Sequence, residues 1–206
     1  MMQCNISQDI KKTAQYFGER LERFGAGISA LDYGSRASQE ARFAVLIDAC
    51  DYRGKRVLDV GCGLGDLGAL LNKRVPDASY FGIDICEGMV EHTQRRGLQA
   101  RCVDILAEQD VASADIVIAN GIFYLLDGQR EQKMQTLISR LFELADETLI
   151  FTSLSSWHDT GDDDEFRADP MRTLDFCRTL STSVCLRHDY LPHDFCISIR
   201  KPRMTQ

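Results

Sequence analysis

Short apolar runs bounded by polar or turn residues recur along the chain and predict a series of β-strands. The first five of these runs alternate with helical patterns and span Arg56 to Val60, Ser79 to Ile83, Gln99 to Val103, Asp115 to Ala119 and Thr148 to Thr152. The clearest helix runs from Gly128 to Ala145, where apolar residues recur at helical spacing. Strands that alternate with helices predict a parallel sheet with crossover helices.

The pattern changes near both ends of the chain. Two strand-like runs, Ser183 to His188 and Phe195 to Ile199, are too close together for a helical crossover, so they must pair antiparallel. They follow a helix from Met171 to Leu180, with Asp169 and Pro170 as its N-cap and first residue. Two amphipathic helices joined by a glycine-rich stretch, either a plain loop or a lid, precede the sheet over Ser7 to Leu21 and Gln39 to Cys50. The prediction is an α/β three-layer sandwich around a mostly parallel seven-stranded sheet with an antiparallel last strand.

Length and composition favour a single domain. The 206 residues include 44% hydrophobic residues and contain no repetitive stretch, which is enough for one sizeable core. We expect one domain over residues 1–206, with N-terminal helices or a lid in 1–50 and the core in 51–206. The start of the chain has no apolar leader and no later segment approaches the run of about 18 apolar residues needed to span a bilayer. This predicts a cytoplasmic protein with no membrane partner.

Cysteine usage and charge narrow the possible partners. The eight cysteines include no CxxC pair, so reduced thiols are expected. The net charge is −7 and the sequence pI is about 5.1, which makes nucleic acid an unlikely partner. Contiguous acids, which cannot readily converge on one ion, follow the fifth strand, and we predict no metal site there. These acids are Asp162, Asp163, Asp164 and Glu165.

A glycine-rich turn from Val57 to Gly68 joins the first strand to a helix, and its backbone amides are expected to face a ligand. The spacing also satisfies GxGxxG, and Asp84 lies where a dinucleotide-binding protein places its ribose acid. Asp59 favours a different ligand, because its carboxylate would repel a pyrophosphate and attract the ammonium and sulfonium of S-adenosylmethionine. Asp104, after the third strand, adds an acid that could accept from an adenine amino group.

These motifs resemble those of the class I S-adenosylmethionine-dependent methyltransferases, which have a Rossmann-like fold. Asp59, Gly61, Gly63 and Gly65 match the DxGxGxG first motif of that family, and the antiparallel last strand matches its sheet. The resemblance implies S-adenosylmethionine as cofactor and implies a set of residues that bind it. That set is Arg42, Asp59, Gly61, Cys62, Gly63, Gly65, Asp84, Ile85, Met89, Asp104, Ile105, Asn120 and Gly121. Gln39 could join Arg42 at the carboxylate of the cofactor, although a solvated helix face explains both residues equally well.

Three loops at the carboxyl ends of the strands could hold the methyl acceptor. The candidate general bases are His158 and His188, since histidine titrates near working pH. A His188–Asp189 pair is weak evidence for a base, because adjacent strand residues point to opposite faces. The residues predicted to contact the acceptor are Tyr124, Trp157, Tyr190 and His193.

The leading hypothesis is methyl transfer to oxygen or nitrogen of a small molecule. Three alternatives stay open: methylation of a macromolecule such as tRNA or protein, an NAD(P)-dependent oxidoreductase, and a non-catalytic protein that binds S-adenosylmethionine.

Overall fold

The computed structural model describes residues 6–158 and 165–202. Its strands are β1 Arg56–Val60, β2 Ser79–Asp84, β3 Ala100–Cys102, β4 Ala114–Asn120, β5 Ala145–Leu154, β6 Ser183–Leu191 and β7 Asp194–Arg200. Its helices are α1 Ile6–Phe24, α2 Arg36–Asp48, α3 Asp66–Arg74, α4 Glu87–Arg95, α5 Arg130–Leu144 and α6 Pro170–Leu180, with a short 3-10 helix at Ile28–Leu31. Each predicted strand is present, and most are longer by one or more residues.

The strands form one seven-stranded sheet in the order β3-β2-β1-β4-β5-β7-β6. β1 pairs parallel with β2 and β4, whereas β7 pairs antiparallel with both β5 and β6. β7 therefore runs against the other six, which confirms the predicted mostly parallel sheet with an antiparallel last strand. The hairpin strands are adjacent as expected, but the later strand inserts between β5 and β6.

Burial on both faces of the sheet explains the apolar character of its central strands. Residues Ile116 to Ala119 of β4 are at most 1% exposed, because helices cover them from both sides. On one face α5 contributes Met134, Ile138 and Leu141, the apolar positions that the helical spacing predicted. On the other face α2 and α3 contribute Leu46 and Leu71. The result is the predicted three-layer sandwich.

The helix-capping signals are also confirmed. The side chain of Asp169 accepts hydrogen bonds from the backbone nitrogens of Met171 (2.8 Å) and Arg172 (3.0 Å), and Pro170 opens α6. α2 begins at Arg36, before the predicted Gln39, because the side chain of Ser35 accepts from the next turn and caps the helix earlier.

α1 lies across the carboxyl edge of the sheet and is anchored at both ends. Near its start, the carboxylate of Asp9 pairs with Lys133 of α5 at 2.6 Å, and both side chains are buried. Near its end, Phe17 and Leu21 pack on a cluster that includes Met89 of α4. Across the described ranges, no helix is both long enough and apolar enough to cross a membrane.

Candidate active site

A crevice opens above the carboxyl ends of β1, β2 and β4, where parallel α/β sheets bind their ligands. α1 and the residues that follow the 3-10 helix form one side of it, and the strand-end loops form the other. All predicted cofactor residues except Gly65 line this crevice, namely Arg42, Asp59, Gly61, Cys62, Gly63, Asp84, Ile85, Met89, Asp104, Ile105, Asn120 and Gly121.

The turn after β1 depends on glycine at two positions that face the crevice. Gly61 and Gly63 have φ of +77° and +53°, in the left-handed region that favours glycine. A Cβ atom on Gly61 would lie 2.5 Å from Cγ2 of Ile122, and one on Gly63 would lie 2.7 Å from Cδ2 of Leu31. Gly65 lies outside the crevice as the N-cap of α3, where a Cβ atom would collide with Thr93 and Leu98.

The backbone amides of this turn are mostly engaged within the protein. Gly61 and Cys62 both donate to the carbonyl of Ile83, at 2.8 and 3.0 Å, and Gly65 donates to the carbonyl of Cys62. The amide of Gly63 donates to the carboxylate of Asp84 at 2.8 Å. The expectation that these amides face a ligand is therefore wrong for four of them, because closing the turn onto β2 uses the same donors. The amides of Gly61, Cys62 and Gly63 are therefore not available to a pyrophosphate in the crevice.

Asp84, at the end of β2, is held rigidly. Its Oδ2 accepts from Gly63 and its Oδ1 from the backbone nitrogen of Cys86 at 2.9 Å. Burial raises the pKa of this carboxyl, while the two backbone hydrogen bonds favour its charged form. Each carboxylate oxygen keeps a lone pair beyond these contacts, so the group can accept further hydrogen bonds from a ligand in the crevice.

Asp59 lies at the floor of the crevice and is 2% exposed. Its Oδ2 accepts from the Tyr80 hydroxyl at 2.8 Å. Burial raises the pKa of this carboxyl to about 7, and the charge of Asp84 adds to the effect. The structure gives Asp59 no ion pair among the described residues, so a positive ligand above it would relieve a desolvated negative charge.

Asn120 at the end of β4 is fixed by a short chain of hydrogen bonds. Its Oδ1 accepts from the Thr152 hydroxyl at 2.7 Å, and its Nδ2 donates to the hydroxyl of Tyr33 at 2.6 Å. Tyr33 lines the crevice and was missed by the sequence analysis. The sequence feature that points to Tyr33 is its position in the glycine-rich stretch, which the sequence predicts to be either a plain loop or a lid.

Asp32 joins the N-terminal segment to the loop after β4. It accepts hydrogen bonds from Tyr16 at 2.7 Å and Tyr124 at 3.2 Å, and it pairs with Arg20 at 2.7 Å. With φ of 58° it is the one residue other than glycine in the described chain with a left-handed backbone. Tyr124, predicted to contact the acceptor, lines the crevice. Such a strained residue holding three partners marks a constrained part of the site.

Arg42 lies in the crevice wall but is already engaged. Its Nε and Nη2 contact Oδ2 of Asp194 at 2.9 and 2.7 Å, and the two side chains are 11% and 1% exposed. The same carboxylate accepts a hydrogen bond from Tyr190. Gln39 donates to Asp66 at 3.1 Å. A role for Arg42 at the carboxylate of a cofactor stays a prediction.

The other residues predicted at the acceptor or as bases form a cluster beside the crevice and do not line it. The Nε2 atom of His188 lies 2.7 Å from Oγ of Ser155, and its ring lies 4.8 Å from that of Trp157. His158 and His193 have ring centroids 6.1 Å apart. Asp189 pairs with Arg187, so it does not orient His188. The roles of the histidines, Trp157 and Tyr190 stay predictions, and Asp162 to Asp164 lie outside the described residues.

Comparison with known proteins identifies the family. Residues 57–143 match the family described as a methyltransferase domain. Rv1506c of Mycobacterium tuberculosis, named as a methyltransferase, is 32% identical over 151 residues, which cover 69% of this chain and 91% of that protein. The chain therefore belongs to the class I S-adenosylmethionine-dependent methyltransferases, and S-adenosylmethionine is the cofactor of that family.

Two further similarities extend the comparison. A malonyl-acyl-carrier-protein O-methyltransferase of Acetivibrio thermocellus is 36% identical over 103 residues, covering 46% of this chain but only 36% of that enzyme. The structure of magnesium protoporphyrin IX methyltransferase from Synechocystis with bound SAH superimposes with a TM-score of 0.71 over 94% of this chain and 100% of that one, at 18% identity. The latter similarity shows that the fold is shared.

Proposed function

We propose that this protein transfers the methyl group of S-adenosylmethionine to an oxygen or nitrogen atom of a small-molecule acceptor. One observation carries the choice of ligand: the crevice offers the carboxylates of Asp59 and Asp84, while the amides of Gly61, Cys62 and Gly63 are already used. The two carboxylates attract a cationic cofactor and would repel a pyrophosphate. The small-molecule acceptor is supported by relatives named for trans-aconitate.

The cofactor, when bound, supplies a methyl group activated by a sulfonium. Asp84 would accept the ribose hydroxyls, since its position at the end of β2 is the one that this role requires. Ile85, Met89 and Ile105 give the adenine an apolar wall. Asp104 would accept from the adenine amino group, although its Oδ1 also accepts from the backbone nitrogen of Leu106.

The remaining task of the protein is to align the acceptor and exclude water. α1 and the Asp32–Tyr33 turn cover the crevice, which supports the proposal that the N-terminal residues 1–50 act as a lid on the core. Tyr33 and Asn120 are joined across the cleft and would be positioning residues for whatever lies between the lid and β4.

Calorimetric titration tests the proposal directly. We expect S-adenosylmethionine and S-adenosylhomocysteine to bind and NAD not to bind, because the carboxylates of Asp59 and Asp84 would repel a pyrophosphate. Incubation with methyl-labelled S-adenosylmethionine and pools of small metabolites should then transfer label to a metabolite. NAD binding tighter than that of S-adenosylhomocysteine would contradict the assignment of the ligand.

The raised pKa of Asp59 predicts pH-dependent binding. A cationic ligand favours the charged carboxylate, so binding should release the proton that Asp59 holds below its pKa of about 7. Affinity for S-adenosylmethionine should therefore rise by about tenfold between about pH 5.5 and pH 7 and then level off. Calorimetry on wild type and Asp59→Asn measures the effect, and the Asn variant should lose the slope.

Asp66→Asn is the matched control for this experiment, because Asp66 lines the same crevice but is paired with Arg96 at 2.7 Å. It should keep the pH dependence of the wild type. An equal slope in Asp59→Asn and wild type would assign the proton to another group.

A further inference from the structure

Four of the carboxylates that line the crevice are each paired with a cation of the protein. α1, the residues after the 3-10 helix, the start of β7 and the segment before α6 each contribute one acid to the lining. All four acids form ion pairs within 2.7 Å, and the pairs are Asp9–Lys133, Asp32–Arg20, Glu165–Arg167 and Asp194–Arg42.

The cations of these pairs are not offered to a ligand. Lys133, Arg20 and Arg167 do not line the crevice, and Arg42, the one cationic side chain that lines it among the described residues, directs two nitrogens to Asp194. An anionic acceptor would therefore lose its hydration without gaining a free cation, which is costly. An acceptor that donates hydrogen bonds would meet carboxylate oxygens instead.

Asp32 and Glu165 are the two of the four acids that can receive such a donor, because their side chains are 25% and 30% exposed, whereas those of Asp9 and Asp194 are 6% and 1% exposed. Of these two, Asp32 is the one that contacts Tyr124, the residue predicted to contact the acceptor. Oδ1 of Asp32 contacts Arg20, and both tyrosine hydroxyls go to Oδ2, so Oδ1 has room for a further donor. Around it the lining is apolar, including Ile10, Phe17, Ile122, Leu126 and Leu137.

We propose that the acceptor is an amine on an apolar body, methylated on nitrogen, and not a carboxylic acid. In the reaction the lone pair of the nitrogen forms the new N–C bond, the C–S bond breaks and its electron pair stays on sulfur. An amine that enters as the ammonium first gives one proton to solvent, because only the neutral amine has a lone pair. The positive charge of the sulfonium then passes to the product, which is the N-methylammonium. The inference rests on the proposed function, and it separates this chain from the relative named for malonyl-acyl-carrier protein, whose malonyl group ends in a carboxylate.

The test uses protein saturated with S-adenosylhomocysteine, with saturation verified by calorimetry. Matched probes are then titrated: 2-phenylethylamine against 3-phenylpropanoate, and heptylamine against octanoate. We expect the amine of each pair to bind at least about tenfold more tightly. Tighter or equal binding of the carboxylates, or no amine binding in the millimolar range, would overturn the proposal. Failure of S-adenosylhomocysteine itself to bind would instead count against the proposed function.

The Asp32→Asn variant assigns the preference to a residue. Asparagine tolerates the left-handed backbone at this position and can still accept from the tyrosines, so the turn should persist. The amine preference should fall by about tenfold, because a hydrogen bond to a charged acceptor is lost. Asp48→Asn, at an exposed position at the end of α2, is the control and should bind the probes as wild type does. An unchanged preference in Asp32→Asn would refute the role of this carboxylate.

Discussion

Replacing Asp84 with alanine should weaken binding of S-adenosylmethionine and S-adenosylhomocysteine by about 100-fold or more. The variant loses two charge-assisted hydrogen bonds to the ribose, each worth about 1.5–3 kcal/mol. It also leaves the amides of Gly63 and Cys86 without their acceptor, which loosens the glycine turn against β2. Calorimetry with both ligands measures the loss.

Asp115→Ala is the matched control for Asp84→Ala. Asp115 lies on β4 at the opposite edge of the sheet, where it pairs with Arg56 at 2.7 Å. Its removal takes the same charge from the protein without touching the crevice, so cofactor affinity should stay close to that of wild type. Comparable losses in both variants would show that charge or stability, and not contact with the ribose, underlies the effect of Asp84→Ala.

Replacing Arg42 with methionine should lower the free energy of unfolding at pH 7 by about 3–5 kcal/mol, because breaking a buried ion pair leaves an uncompensated charge. The carboxylate of Asp194 is 1% exposed, and Arg42, together with the hydrogen bond from Tyr190, opposes the rise in its pKa that burial causes. Urea unfolding monitored by circular dichroism measures the change. The double variant Arg42→Met with Asp194→Asn should recover most of it, since Asn can still accept from Tyr190.

The pH dependence of this loss has a definite sign. Without Arg42 the folded protein holds a proton on Asp194 that the unfolded chain releases above its ordinary pKa of 3.8. The stability of the variant therefore falls as pH rises from about 4 to 7, and its deficit relative to wild type grows over that range. Arg187→Met breaks an exposed pair on the same hairpin and should cost at most about 1 kcal/mol at any of these pH values. A similar cost in both variants would contradict the assignment to burial.

The sequence predicted the elements well because their signals are local. Alternating apolar runs set the strands, the Asp169–Pro170 cap set the start of α6, and the short link between the last two strands required a hairpin. The strand-end acids Asp59 and Asp84 could be assigned to one crevice, since parallel strands bring their carboxyl ends to the same edge of a sheet.

Contacts between distant segments could not be predicted in this way. The Arg42–Asp194 pair joins residues 152 positions apart, and Tyr33 reaches Asn120 over 87 positions. The sequence assigns the histidines to the acceptor site because the loops after β5 and β6 share its edge. In the structure His188 contacts Trp157 and Ser155 beside the crevice, and the ring of His158 lies near that of His193. No local pattern shows which way a loop side chain points.

The sequence by itself determined the order of strands and helices, the sign of charge at the sheet edge and the family. The tertiary structure decided which donors and acceptors stay available. The amides of Gly61, Cys62 and Gly63 are used in closing the turn onto β2, and four of the acids that line the crevice are paired with cations of the protein. Availability depends on the pairing of groups far apart in the chain, and that pairing exists only once the chain has folded.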